Sequence, residues 1–156
     1  MKVFLMSARA FCLSLAWFIP RETPGQTPTP SSITLLKLNQ PPCTVPSVKD
    51  VIVARVAYQI ADSEQSADGF AVSIKFQGVN PRMTFSVDRM DLDVSSNVNV
   101  TRRKGVLTLT YPIATIMQDE RLRRPLVCYF YLHRNTGAGS STVIALTPAI
   151  AFRECQ

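Results

Sequence analysis

A chain of 156 residues with 46% apolar and 18% charged residues suits one ordinary globular domain, and it excludes collagen, low-complexity disorder and a multidomain enzyme. Lys and Arg number 17 against 11 Asp and Glu, for a formal charge of +6, and there are four Cys, one His and one Trp. A domain of this size buries roughly two thirds of the surface of its unfolded chain, so it needs no dense disulfide framework.

Residues 10–19 (AFCLSLAWFI) carry no charge, end at Pro20 and lead into the polar run RETPGQTPTPSS. The stretch is too short for a bilayer core, which needs about 20 residues, and it matches the apolar centre of an export signal. The expectation is a signal peptide over 1–25, with Thr23 and Gly25 at the positions a signal peptidase reads, and a secreted, extracellular product. Its removal takes Lys2, Arg9, Arg21 and Glu22, lowering the charge to +4, together with Cys12 and Trp17. Cys43, Cys128 and Cys155 then remain in an oxidising compartment. Three is odd, so one thiol is free or pairs outside the chain.

Residues 26–32 (QTPTPSS) contain two prolines and no apolar residue, which predicts an extended leader. From Ile33 onward the period is two. Ile52, Ala54, Val56, Tyr58 and Ile60 alternate with Arg55 and Gln59. In 70–77, Phe70, Val72, Ile74 and Phe76 alternate with the mostly polar Ala71, Ser73, Lys75 and Gln77, and Leu107, Leu109 and Tyr111 alternate with Thr108 and Thr110. These are half-buried strands. Residues 125–133 (PLVCYFYLH) place Leu126, Cys128, Phe130 and Leu132 on one face and Val127, Tyr129, Tyr131 and His133 on the other. The run RNTGAGSS at 134–141 has turn chemistry and predicts a hairpin with a flexible tip. Pro148 in the apolar run 142–152 cannot donate a ladder hydrogen bond, so that strand should be an edge or carry a bulge. Only 113–122 has helix-forming character, about three turns at most. With short strands near Cys43, at 83–87 and at 93–101, the total is eight or nine strands, the pattern of an all-β two-sheet sandwich or small barrel.

Catalytic material is sparse. His133 reads as a strand-end surface side chain beside the Gly-rich run, with no Cys-x-x-Cys, His-x-His or Gly-x-Ser-x-Gly to support it. Asp88, Asp91 and Asp93 lack the spacing of a calcium loop and read as a solvated turn. No catalytic residue, metal or cofactor is expected. Arg102-Arg103-Lys104 reads as charge blunting a sheet edge, and 121–124 as a dibasic stretch that Pro125 protects from cleavage. No nucleic-acid partner is expected for an exported chain of modest charge; an anionic glycan or membrane head group is the lesser reading. Asn99-Val100-Thr101 is a glycosylation sequon. With no apolar span after Phe152, stable membrane insertion is not expected once the signal is removed.

The order of features over 33–152 resembles the immunoglobulin superfamily, most nearly the divergent domains of invertebrate secreted immune-recognition proteins. Cys43 lies early and Cys128 in the penultimate strand; VLTLTY followed by IATIMQDERLRRPLVCYFYL resembles an E strand, a short helical E to F connection and an F strand; the NTGAGSS hairpin resembles F to G. The resemblance implies an immunoglobulin-like sandwich of about eight strands, with Cys43 and Cys128 bonded between its sheets. It also implies a secreted, non-enzymatic recognition or adhesion module for a protein or glycan ligand. Contacts would fall on His133, Arg134 and Asn135 beside Tyr129 and Tyr131. The alternative is a small secreted hydrolase or protease inhibitor. A regular hairpin centred at 137 or 138 sets Cys128 opposite a position near 147, so Cys155 belongs to an exposed tail, 153–156, as a free thiol or a disulfide to another chain.

Overall fold

The computed structural model describes residues 29–39, 51–87, 97–137 and 139–152; the expected signal segment, Cys43, the acidic run 88–93 and Cys155 lie outside the described residues. The period-two segments form β1 (Ser32–Asn39), β2 (Val51–Gln59), β3 (Phe70–Gln77), β4 (Thr84–Phe85), β5 (Asn97–Val100), β6 (Lys104–Pro112), β7 (Val127–Gly137), β8 (Ser140–Leu146) and β9 (Ile150–Ala151). They make two antiparallel sheets, a β-sandwich. One has the order β1-β2-β6; the other runs β4-β3-β7-β8, with β5 sharing an edge of β3 and β9 an edge of β7. β1 begins at Ser32, so the last residue of the expected leader is already strand.

Alternation dictates what faces inward. Ile52, Ala54, Val56 and Tyr58 of β2 are buried with Leu109 and Tyr111 of β6, and register sets Ile52 opposite Tyr111 and Ala54 opposite Leu109. From the other sheet come Val72, Ile74 and Phe76 of β3 and Cys128, Phe130 and Leu132 of β7. Phe76 and Tyr111 meet across the sandwich with ring centroids 5.5 Å apart, within the range where tilted aromatic pairs attract beyond their burial.

β3 departs from the half-buried expectation: Ala71 and Ser73 of its polar face are buried and Gln77 nearly so. The reason is position, because β3 is flanked by β7 on one side and by β4 and β5 on the other.

The segment expected to give up to three helical turns forms only α1 (Ile113–Met117). Ile113 and Ile116 are buried. Beyond them Asp119 Oδ1 accepts the Arg121 backbone N–H at 3.0 Å and Leu122 bridges to Gly78, which draws the chain into a turn. Gly78 lets the bridge approach closely, since a Cβ there would stand 2.6 Å from the Phe85 ring and would displace it. The basic run 121–124 is absorbed by the fold. Arg121 pairs with Asp119 at 2.6 Å and lies 4.8 Å from the Phe85 ring centroid; Arg123 donates to Gln77 Oε1; Arg124 donates to the Ile116 and Met117 carbonyls at the end of α1. Arg103 donates to the carbonyls of Ala61 and Glu64 at 2.7 and 2.8 Å, fastening the β2–β3 loop.

Pro148 falls between β8 and β9, both on the outer edge of β7. Thr147 bridges the interruption, donating its N–H to the Phe130 carbonyl at 3.0 Å and accepting the Phe130 N–H on Oγ1 at 3.1 Å. Register shifts between Leu132 and His133 and between Asn135 and Gly137, together with this break, place Cys128 opposite Ile150. That corrects the position near 147 expected of a regular hairpin.

Candidate functional site

The expected loop 134–141 is mostly strand. β7 continues through Gly137 and β8 starts at Ser140, and the glycines on either side of residue 138 have φ of 137° and 75°, a backbone that favours glycine. The β2–β3 loop is laced to the end of β7. Ser66 Oγ donates to the Asn135 carbonyl at 2.6 Å, the Asn135 N–H donates to the Gly69 carbonyl at 3.0 Å, and Asn135 Nδ2 donates to the Asp68 carbonyl at 3.1 Å. Arg134 Nη1 pairs with Glu64 Oε2 at 3.2 Å.

These contacts frame a depression of about 620 Å³ on the outer side of the larger sheet, lined by Asp68, Ala71, Asn97, Asn99, His133, Asn135, Gly137, Gly139, Ser140 and Ser141. Its lining is rich in amides and hydroxyls, with one carboxylate. Such groups present paired donors and acceptors and suit a polyhydroxylated or peptide ligand over an apolar one.

His133 is only 4% exposed. The strand-end surface reading is therefore corrected: β7 extends beyond it, and register places it opposite Ala71 of β3 and Val143 of β8. Its Nε2 lies 3.1 Å from Asn97 Oδ1, so Nε2 carries the proton and Nδ1 is left as an acceptor. Nδ1 is buried with no hydrogen-bond partner, as is the hydroxyl of Ser73, a neighbour on the same face. Buried polar atoms are nearly always paired, and with Asn135 beside the ring this acceptor beneath the floor of the depression is one that a bridging group would satisfy.

Burial, aided by the charge of Lys75, holds the His133 pKa below its ordinary 6.5, with the nearby Asn135 amide pulling the other way. The folded chain thus keeps the ring neutral while the unfolded chain protonates with the ordinary value. Acidification through 6.5 favours unfolding until the lower folded-state value is passed, below which this contribution stops growing. Urea midpoints measured from about pH 8 to pH 5 should fall more for the wild type than for His133→Gln. Equal falls would show that His133 titrates alike in both states.

Of the other expected contact residues, Tyr129 and Tyr131 share the outer face with His133, ring centroids 6.1 Å apart, but they do not line the depression. Arg134 is turned to Glu64. The sequon acceptor Asn99 is exposed and stands on the rim. Asn97, Asp68 and Ser73 escaped sequence reasoning. The alternation Asn97-Val98-Asn99-Val100 did signal two amides on one strand face, but only the pairing of β5 with β3 brings them to His133. Cys128 is buried and unbridged in the structure, and burial pushes its thiol up to about 12. Among the described residues no cluster of metal-ligating side chains occurs. Comparison with protein-family models, curated proteins and solved structures gives no match.

Proposed function

We propose that this chain is a secreted recognition or adhesion module of immunoglobulin-like build, without enzymatic activity, that takes a protein or glycan ligand in the depression at the β7–β8 hairpin. The observation that carries the reading is the lining of the depression, in which the amides of Asn97, Asn99 and Asn135 and the hydroxyls of Ser140 and Ser141 converge. Strand order supports the immunoglobulin-like topology. With β2, β3, β6, β7 and β8 taken as B, C, E, F and G, the sheets divide as A-B-E and C′-C-F-G. Cys128 then lies on F, while Cys43 precedes B.

An array of neutral glycans probed with the full chain tests the reading. Binding should be lost, with unchanged thermal melting, when residues 136–140 are replaced by a two-residue turn or when Asn135→Ala breaks the rim. Binding that survives both changes, or an array with no bound member, would overturn the glycan form of the proposal.

A second reading, a small hydrolase, draws on Asp68, His133, Ser140 and Ser141 sharing the depression. Against it, the one hydrogen bond of the His133 ring that the geometry supports goes to an amide oxygen and not to a carboxylate. Turnover of a broad ester and peptide panel, abolished by His133→Gln, would favour it.

A further inference from the structure

The other basic run spends only Arg103 on the fold, and leaves Arg102 and Lys104 exposed. Lys37 of β1 stands directly opposite Arg55 of β2, and Arg55 opposite Thr108 of β6. Further along the same sheet Lys104 stands opposite Gln59, with Arg102 just ahead of it. All four cations are exposed, and none belongs to an ion pair among the described residues. β1, β2 and β6 contain no Asp or Glu. Like charges directly opposed across a strand pair destabilise a sheet, so stability does not account for this arrangement.

We propose that the outer face of the three-stranded sheet binds a linear anionic polysaccharide, sulfated or uronate-containing, along a diagonal from Lys104 through Arg55 to Lys37. Lys104 and Thr108 are four residues apart on β6, about 14 Å at strand rise, so the cations at the two ends need a ligand whose negative charges repeat over that distance. Beside them Thr34, Thr108 and Thr110 are exposed, hydroxyls suited to sugar oxygens, and the exposed Val106 between Lys104 and Thr108 can meet the apolar face of a sugar ring. The tyrosines of these strands, Tyr58 and Tyr111, are buried, so among the described residues these strands offer no ring on this face for stacking nucleic-acid bases. The surface is on the opposite sheet from the depression and does not depend on it.

The probe is heparin, titrated against the full chain over a range of salt. Affinity should fall steeply with salt. The triple variant Lys37→Gln/Arg55→Gln/Lys104→Gln should bind at least about tenfold more weakly and lower the log–log salt slope by about 2 to 3. It should melt at or above the wild type, since a repulsive pair is gone. Arg55→Gln alone should weaken binding in the same direction, and the shortened hairpin at 136–140 should leave heparin binding unchanged. Absence of heparin binding at low salt, or a triple variant that binds like the wild type, overturns the proposal. So does tighter binding, at equal salt, to phosphatidylserine vesicles or to an oligothymidylate.

Discussion

Phe76→Ala should destabilise the protein by about 3–5 kcal/mol in urea denaturation, the usual cost of emptying a buried phenylalanine site. The ring is fully buried and reaches from β3 of the larger sheet to Tyr111 of β6 in the smaller one. Its neighbours across the strands are Cys128 of β7 and Phe85 of β4, and strands held in a hydrogen-bonded register cannot collapse into the space. Phe76→Leu keeps most of the volume and should cost less than about 1.5 kcal/mol. An alanine variant that loses under about 1 kcal/mol would mean that the two sheets do not pack through this pair.

The second large effect concerns Cys128. The immunoglobulin-like reading joins it to Cys43, and a bridge closing so long a loop should contribute about 4 kcal/mol in the chain-entropy model. Protein recovered from an oxidising medium and denatured without reductant should then leave Cys128 unlabelled by iodoacetamide, and reduction should lower the urea midpoint sharply. In the reduced, folded protein the same thiol should also resist labelling, because burial pushes its pKa up to about 12 and the thiolate is the reactive form. The denatured, unreduced sample separates the two cases: a labelled Cys128 there refutes the bridge.

Much of the architecture was legible locally because a strand's side chains alternate whatever it pairs with. Ile52, Ala54, Val56 and Tyr58 are inward in the sequence pattern and in the sandwich alike, and Pro148 announces the interruption of the last strand through its missing N–H. Segment 113–122 was less so. Helix propensity is a weak prior, and the hydrogen bonds of Asp119 and the bridge from Leu122 to Gly78 decide where the turn ends.

The basic runs show the difference most clearly. As sequence, 102–104 and 121–124 are two clusters of similar charge; in the fold the second is spent on carbonyls, a carboxylate, an amide and a ring, while the first spends only Arg103 on carbonyls and leaves Arg102 and Lys104 exposed at one end of the sheet that carries Arg55 and Lys37. Arg121 and Arg124 find Asp119 and the end of α1 close along the chain, but Gln77 for Arg123 and the Phe85 ring for Arg121 come from other strands and are not legible from neighbours in sequence.

By itself the sequence determined the strand-rich class, the inward faces of β2, β3, β6 and β7 and the turn chemistry near 137–139, all properties set within a few residues by side-chain period and allowed backbone angles. The tertiary structure alone decided which strands are neighbours, and with that the burial of His133, the meeting of Asn97, Asp68 and Asn135 around it, and the placing of Cys128 opposite Ile150. Burial and cross-strand contact depend on register and sheet order, and a shift of one residue in register reverses every face.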